Sequence, residues 1–415
     1  MRRNREQLAW VILLASFFVC IGLTVATPLI IRWFIFYSTV GQQATLEVQQ
    51  APLSVTWAGR GQPVSVAEDR GEVPERTIVA TNSTSGRLVI RTPQSDGAFI
   101  AAVQIYEGTE VRLASARSPR FPASRLPHKI ALEVQAGRVR IGVPGDGGRS
   151  TLVEVCTPQG MVILTEGEYE VKVNDTTVEA TVRDGQATVI GDAGPPVLFG
   201  PTERAVVGDG QSIERQAAPR NLIVNGDFQA PLEDGWIKSN EQEEAPPGSV
   251  DIVTDGGWRV ADFYRDGRDH SEVSIRQKIN YDVRDFTSLE LHLALKIKEQ
   301  SIPVCGTLGS ECPIMVRIEY KDAHGAVREW LQGFYWLPDT GASEEPNPLV
   351  CKTCSTRNPH IKVPQDTWYA YLSPNLIPLL SQDGRAPTTI RAITIYASGH
   401  AYHAMIADVE LTGQE

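Results

Sequence analysis

The chain has 415 residues, of which 42% are hydrophobic and 21% are charged. This length predicts two or three domains of ordinary size, and this composition excludes a wholly disordered chain. The formal net charge of -11 at pH 7 is opposite to the basic footprint of a nucleic-acid-binding protein, so we expect no nucleic-acid partner.

A long apolar segment begins after residues 1–7, which contain three arginines. Residues 8–31 carry no charge, and about 20 apolar residues suffice to cross a bilayer. The segment is longer than the apolar core of a cleaved signal peptide, which has roughly 7–15 residues. We therefore expect one uncleaved transmembrane helix at residues 8–37 of a single-pass cell-membrane protein. The basic tail should lie in the cytoplasm and the bulk of the chain outside it.

The chain after this helix has the pattern of β-strands. Residues 38–74 are expected to form a juxtamembrane segment with the first strands, and residues 75–215 a β domain without amphipathic helices. Alternating runs rich in β-branched residues lie at 87–91, 110–113, 129–134, 138–141, 151–155, 160–164 and 167–173. Hairpin turns are expected at the Asn-Asp pair of residues 174–175 and the Asp-Gly pair of residues 184–185.

Turn and strand motifs follow one another in the second half of this β domain. They are Thr157-Pro158-Gln159-Gly160, Gly167-Glu168, the Val-Lys-Val of residues 171–173 and the Val-Arg-Asp-Gly of residues 182–185. With these motifs, residues 75–215 resemble the extracytoplasmic domain of the FecR family. In that family the domain receives a signal from an outer-membrane receptor and controls a sigma factor through a cytoplasmic anti-sigma domain. Residues 1–7 are too few to fold into such a domain, so the resemblance implies the β-rich recognition module alone.

A second domain is expected at residues 221–415, after a short Pro-containing linker at residues 216–220. Its opening sequence, NLIVNGDFQAPLEDGW, and its closing sequence at residues 393–413 resemble the galactose-binding-like jelly rolls of carbohydrate-binding modules. Alternating strands are expected between them, at 274–279, 289–297, 314–320 and 330–336. The predicted fold class is all-β, with a single N-terminal transmembrane helix, a FecR-like β domain and a jelly-roll β-sandwich.

Carbohydrate-binding sandwiches stack flat aromatic rings on sugar rings. Four rings are candidates for contacting such a ligand: Tyr264, Trp336, Trp368 and Tyr371. Phe228, Trp236 and Phe334 are instead expected in the hydrophobic core. Because many sandwiches of this type bind proteins, an envelope protein is the alternative partner to a glycan.

Four cysteines of the second domain lie in two pairs, Cys305 with Cys312 and Cys351 with Cys354. Outside the cytoplasm, disulfides are the expected state of such pairs. A four-thiolate zinc site is the less favoured alternative, because paired zinc ligands are usually closer in sequence than Cys305 and Cys312. Four reduced thiols are the third alternative. We expect all four cysteines at one end of the sandwich.

Two further sets of residues have side chains that bind metals. Related jelly rolls often hold a calcium ion near the join of the first and last strands, and the resemblance implies Asp227 and Asp408 as its oxygen ligands. Three histidines, His360, His400 and His403, are expected at the surface. Structural calcium is therefore a candidate cofactor, and zinc a weaker one.

The sequence contains none of the motifs of serine hydrolases, zinc proteases or P-loop enzymes that we sought. The favoured function is a non-enzymatic, membrane-anchored binding or sensing protein of the bacterial envelope, with a glycan or protein ligand. One alternative is a transmembrane regulator that acts on a sigma-factor system through its helix. A glycoside-active enzyme is the other.

Overall fold

The computed structural model describes residues 2–49, 51–93, 97–145, 148–242, 245–255, 258–303, 305, 311–337 and 358–415. Within these ranges the chain forms a long N-terminal helix followed by two β domains. The predicted fold class, all-β after one apolar N-terminal helix, is confirmed.

The N-terminal helix α1 spans Arg2–Tyr37. Its stretch Ala9–Tyr37 has 29 residues and a mean hydropathy of 2.4, which makes it long and apolar enough to cross a membrane. Apolar side chains are exposed along its length, from Trp10 to Trp33. A helix that is hydrophobic on all sides and not covered by protein is typical of a membrane span.

We predict that α1 leaves its N-terminus in the cytoplasm, because basic residues before an apolar stretch favour that side. Protease added to intact spheroplasts should then digest both β domains and leave a protected helical fragment. Spheroplasts lysed with detergent before digestion serve as the control. β domains that stay intact until lysis would contradict the orientation.

The first β domain is built from strands of very unequal length. They are β1 (Thr39–Gly41), β2 (Gln43–Val48), β3 (Leu53–Thr56), β4 (Val64–Val66), β5 (Thr77–Ala80), β6 (Gly86–Arg91), β7 (Phe99–Ile105), β8 (Glu110–Pro119), β9 (His128–Val143), β10 (Thr151–Thr157), β11 (Gly160–Val173), β12 (Thr177–Gly191), β13 (Val197–Phe199), β14 (Glu203–Gly208) and β15 (Glu214–Ala217). They form one continuous sheet, whose main path is β15-β14-β12-β11-β10-β9-β8-β5-β3-β4.

One hydrophobic core serves this whole domain. Leu46 of β2 belongs to the same buried cluster as Ile141 of β9 and Val189 of β12. β2 pairs with β6, and β5 pairs with β8. Residues 38–74 therefore contribute strands to the sheet and core formed by residues 75–215.

The two predicted hairpin turns have different outcomes. The Asn-Asp pair of residues 174–175 connects β11 to β12, as predicted. The prediction for Asp184 and Gly185 is wrong, because both lie inside β12, at an irregularity where Gly185 pairs with Gly167. Gly185 has a φ of 83°, and a Cβ there would collide with the backbone carbonyl of Glu166. The glycine thus permits a β-bulge with a close backbone approach.

The second β domain is a sandwich with two short helical segments. Its elements are β16 (Arg220–Asn221), β17 (Ile237–Gln242), β18 (Ser249–Asp255), β19 (Trp258–Arg265), β20 (Ser271–Asp282), β21 (Ser288–Gln300), β22 (Ile314–Asp322), β23 (Val327–Tyr335), β24 (Ile361–Lys362), β25 (Tyr369–Leu372), α2 (Leu376–Leu380), a 3₁₀ turn (Gln382–Gly384), β26 (Pro387–Gly399) and β27 (Tyr402–Gln414). One sheet has the order β18-β19-β27-β21-β25, with β16 beside β27, and the other has the order β17-β20-β26-β22-β23-β24.

The two sheets enclose a common core, to which β21 contributes Leu291 and β26 contributes Ile395. Phe228, Trp236 and Phe334 are buried there, as predicted. The four strands expected from sequence alternation are present as β20 to β23. Alternation predicts strands reliably here because one face of each sheet is apolar and the other polar.

The connection between the domains is short. β15 ends at Ala217 and β16 begins at Arg220, so only Ala218 and Pro219 separate them. β16 pairs with β27, the last strand of the second domain. This arrangement places the sheet that contains β27 next to the first domain.

Candidate functional site

Two adjoining cavities lie between the β domains. Their volumes are about 790 Å³ and about 950 Å³. Both are lined by Arg140 and Glu168 of the first domain and by Asp227 and Asp408 of the second. We call these two cavities together the interdomain cleft.

Strand alternation places polar side chains of both domains in this cleft. In β9, Ile141 enters the core of the first domain, whereas Arg140 faces the second domain. In β21, Leu291 enters the core of the second domain, whereas His292 faces the first. Successive side chains of a strand point to opposite faces, so the same strands build the cores and the cleft.

Arg140 contacts one carboxylate of its own domain and two of the second domain, and its side chain is only 8% exposed. Its Nη2 donates a hydrogen bond of 2.6 Å to Oε2 of Glu168, in β11. Its Nη1 lies 2.9 Å from Oδ2 of Asp408 and 3.1 Å from Oε2 of Glu410, both in β27. One guanidinium therefore bridges a strand of each domain.

Two more arginines of the first domain extend these ion pairs. Arg183 pairs with Glu410 across the cleft and lies 3.1 Å from Glu170 in its own domain. Arg138 lies 2.8 Å from Glu170 and 3.5 Å from Glu290 of β21. We define the interdomain network as Arg138, Arg140, Arg183, Glu168, Glu170, Glu290, Asp408 and Glu410.

The interdomain network has more carboxylates than guanidiniums. Its three arginines and five carboxylates would leave a net charge of -2 if all were ionised. Burial raises the pKa of Asp408 to about 7, and two neighbouring carboxylates add to this effect while Arg140 opposes it. Glu170 behaves differently, because its two guanidinium partners outweigh its burial and lower its pKa to about 2. Asp408 is therefore the carboxyl group of the network that takes up a proton near neutral pH.

His292 borders the network from β21. Its Nδ1 lies 3.3 Å from Nη1 of Arg140, and its Nε2 lies 2.8 Å from the hydroxyl of Tyr106. A guanidinium can only donate, so Nδ1 accepts, and the Nε2–H donates to the tyrosine oxygen. Burial, reinforced by the nearby arginines, holds the pKa of His292 well below its ordinary value. The histidine is thus a neutral link between the domains.

The far wall of the cleft contains a stacked cation and two indoles. The guanidinium carbon of Arg87 lies 3.8 Å from the centroid of the Trp258 ring. Trp258 in turn contacts Trp368, with ring centroids 5.5 Å apart. Asp255 accepts hydrogen bonds from Nε1 of Trp368 at 2.9 Å and from Nζ of Lys296 at 2.5 Å. These contacts hold the aromatic pair in a fixed orientation.

The predicted sugar-contacting rings lie at different places in the sandwich. Tyr264 and Tyr371 lie in the sheet that contains β27, Trp368 precedes β25 of that sheet, and Trp336 follows β23 of the other sheet. Trp368 lies on the outer face, near the cleft, through its contact with Trp258. Tyr371 is 5% exposed and packs on Phe334 in the core, and Trp336 packs against the same core. The structure therefore does not bring Trp336, Trp368 and Tyr371 into one stacking surface.

Tyr264 is the exposed ring among the four candidates. It is 45% exposed and meets the ring of His403 edge to face, with centroids 5.4 Å apart. His403 is held by a hydrogen bond of 2.8 Å to Asp262. Tyr264 does not line the interdomain cleft, so a ligand on this ring would use a separate surface.

Both aspartates implied as calcium ligands line the cleft. Asp408 already faces the guanidinium of Arg140, and Asp227 is exposed, with Oδ1 accepting from the Gln229 backbone N–H at 3.3 Å. A calcium ion would therefore compete with the Arg140 guanidinium for Asp408. The calcium site stays a prediction.

A disulfide joins Cys305 to Cys312. Cys351 and Cys354 lie outside the described residues, so their pairing stays a prediction. The prediction that His360 lies at the surface is wrong, since it is 3% exposed and its Nδ1 lies within 3.6 Å of both disulfide sulfurs. Gly333 of β23 makes this burial possible, because a Cβ there would lie 2.8 Å from Nδ1 of His360. His400 and His403 are half-buried.

We predict that Cys305 and Cys312 resist alkylation in the purified, denatured protein until a reductant is added, because a disulfide does not react with the reagent. Peptide mass spectrometry after labelling measures this directly. Cys20, a free cysteine, is the internal control and should label in both samples. Labelling of Cys305 and Cys312 without reductant would contradict the disulfide. Bound zinc removed by a chelator would then support the alternative metal site.

Sequence reasoning missed Arg87, Arg140 and His292 as cleft residues. The sequence does contain a pattern that marks them. Each is a polar residue in an otherwise apolar strand, on the face that points away from the core. The same pattern marks solvated sheet faces. Only the docking of the two domains distinguishes the two cases.

Neither a family model nor a curated protein sequence matches this chain. Among solved structures, a candidate anti-sigma factor from Parabacteroides distasonis is 21% identical, with a TM-score of 0.24. The match covers 34% of this chain and 59% of that one, so this chain spans less than two thirds of that neighbour's length. The carbohydrate-binding module TmCBM61, solved in complex with β-1,4-galactotriose, is 12% identical with a TM-score of 0.27, covering 47% of this chain and 99% of that one.

A third similar structure is a family 11 carbohydrate-binding module from a Clostridium thermocellum cellulase. It is 11% identical, with a TM-score of 0.27, and the match covers 48% of this chain and 97% of the module. Identities and TM-scores this low establish neither a family nor a function for this chain.

Proposed function

We propose that this protein is a membrane-anchored, non-enzymatic binding or sensing protein of the bacterial envelope, whose ligand is a glycan or an envelope protein. The interdomain cleft carries the proposal. Its two cavities of about 790 and 950 Å³ are of the size that small-molecule sites have, and such sites occur preferentially between domains. Both domains supply charged and hydrogen-bonding groups to it, so a ligand would contact the two domains at once.

A glycan array tests the proposal with the full-length chain in lipid nanodiscs. We expect binding to a limited set of glycans, reduced by substitutions in the cleft such as Trp258→Leu. Tyr264→Leu is the matched control, because that exposed ring lies outside the cleft. If both variants lost glycan binding to the same extent, the loss would not be specific to the cleft, and the ligand would bind outside it. Release of shortened sugars from a bound glycan would instead support a glycoside-active enzyme.

A signal regulator is the second candidate, and the junction between α1 and the first domain favours it. Ser124 donates a hydrogen bond of 2.6 Å to the carbonyl of Phe36, and Phe121 contacts Phe34 with ring centroids 5.7 Å apart. β1 begins two residues after the helix ends and pairs with β8. Because of these contacts, the helix would move together with the domain, as it would not if a flexible linker joined them.

Deletion of the gene distinguishes this second candidate. A regulator acting on a sigma factor should change the transcripts of one sigma-factor regulon, and its gene should lie beside a sigma-factor gene. In the deletion strain, the Ser124→Ala variant should restore the transcript levels less fully than the wild-type chain does, because it lacks the hydrogen bond from Ser124 to the carbonyl of Phe36. An unchanged transcript profile after deletion would contradict a regulatory role.

A further inference from the structure

Arg87 carries a buried guanidinium whose hydrogen-bonding capacity is largely unused. The residue is 3% exposed, and within the described ranges its Nε and Nη2 have no hydrogen-bond partner. The Glu47 carboxylate lies 3.8 Å from Nη1, too far for a hydrogen bond. Buried donors left without acceptors are costly, and native proteins rarely keep them without a reason.

The surroundings of Arg87 orient this guanidinium for a planar acceptor. The Trp258 ring covers one of its faces at 3.8 Å, so recognition falls to the N–H groups at the edge of the plane. Two parallel N–H groups match the two oxygens of a carboxylate. Gln104 and Arg259 line the same part of the cleft. Burial lowers the pKa of Arg87 to about 10, with Glu47 opposing, so the group is charged at neutral pH.

We infer that Arg87 is the subsite for a carboxylate of the ligand, and that the ligand is an acidic saccharide. The inference rests on the proposed binding function and specifies its ligand class. Trp258 is the positioning residue, because it holds the guanidinium plane in place. The buried N–H groups of Arg87 gain their missing acceptor when the carboxylate enters.

The remaining charges of the cleft explain why a saccharide fits better than an acidic peptide. Glu168, Asp184, Asp227 and Asp408 also line the cavity that contains Arg87. Carboxylates accept hydrogen bonds from sugar hydroxyls, whereas they repel a chain that carries a negative charge on every residue. A saccharide with one uronic-acid unit and neutral neighbours satisfies both parts of the cleft.

A matched pair of disaccharides tests the inference. Cellobiouronic acid and cellobiose differ by one carboxylate in place of a hydroxymethyl group. Binding to the full-length chain in nanodiscs is measured by calorimetry and by tryptophan fluorescence, to which Trp258 is one of eight contributors. We expect the acid to bind at least tenfold more tightly and to keep most of this advantage at high salt, because the ion pair with Arg87 is buried. Triglutamate should bind more weakly than the acidic disaccharide.

Three variants identify the residue responsible. Arg87→Met should make the two disaccharides bind equally, whereas Arg91→Met, on the same strand and outside the cleft lining, should keep the preference. Glu47→Gln removes the carboxylate nearest to Arg87 and should strengthen binding of the acid several-fold. This gain keeps the inference falsifiable if Arg87→Met does not fold.

Failure of the inference differs from failure of the proposed function. Equal binding of both disaccharides to the wild type, or no gain in Glu47→Gln, would overturn the carboxylate subsite while binding itself stands. Triglutamate binding as tightly as the acidic disaccharide would overturn the saccharide assignment. If no glycan on the array and neither disaccharide binds, the proposed glycan-binding function fails together with the inference.

Discussion

Replacing Arg140 with methionine is expected to destabilise the folded, docked protein by about 3–5 kcal/mol, the cost of leaving buried charges without their partner. Methionine keeps much of the side-chain volume but leaves Glu168 and Asp408 without the guanidinium that they share, while Glu410 keeps its pair with Arg183. Urea and thermal unfolding of the full-length chain, followed by tryptophan fluorescence, measure the loss. The first transition should report separation of the domains.

Two companion variants control for the loss of a positive charge. Arg112→Met removes a partly exposed pair with Glu133 and should cost no more than about 1 kcal/mol. Asp408→Asn combined with Arg140→Met should be less damaging than the sum of the two single changes, because one of the stranded carboxylates is gone. A cost for Arg140→Met equal to that for Arg112→Met would mean that the network does not hold the domains together.

The strands and the helix could be predicted because their signals are local. In β21, Leu289, Leu291, Leu293 and Leu295 alternate with polar or small residues, and this period of two is a sufficient sign of a half-buried strand. The apolar helix α1 has an equally local signal, the absence of charge over more residues than a bilayer requires. Neither prediction depends on what contacts the polar face of the strand or the surface of the helix.

The cleft could not be predicted, because its residues have the same local pattern as a solvated face. Arg138 and Arg140 alternate with valine and isoleucine in β9, as they would on a sheet that faces water. Their role depends on Glu290 and Asp408, which are more than a hundred residues away in sequence. Tyr371 shows the opposite error. Aromatic composition marked it as a ligand contact, whereas its place on the inner face of β25 put it in the core.

Asp408 and His292 are expected to give the interface opposite pH dependences. Burial raises the pKa of Asp408 from 3.8 to about 7, so the stability it contributes is full below pH 3.8 and is lost as the pH rises to 7. Burial holds the pKa of His292 well below 6.5, so its contribution is present above pH 6.5 and is lost as the pH falls. The two effects therefore have opposite signs in the wild type.

Single substitutions should separate the two effects between pH 5 and pH 8. Relative to the wild type, Asp408→Asn should lose about 2–3 kcal/mol of stability on going from pH 8 to pH 5, because it lacks the stability that the wild type gains when Asp408 takes up its proton. His292→Gln, which keeps an acceptor for Arg140 and a donor for Tyr106, should gain stability relative to the wild type over the same change, because the group that must stay neutral in the folded protein is gone. Urea unfolding of the full-length chain at several pH values measures both.

Other charged groups face this pair. They are Arg138, Arg140, Arg183, Glu168, Glu170 and Glu410. The difference between each variant and the wild type therefore reports Asp408 or His292 together with its coupling to these groups. The double variant Asp408→Asn with His292→Gln should show neither effect, because both titrating groups are absent. Parallel pH profiles for the wild type and both single variants would show that neither group changes its protonation when the domains dock.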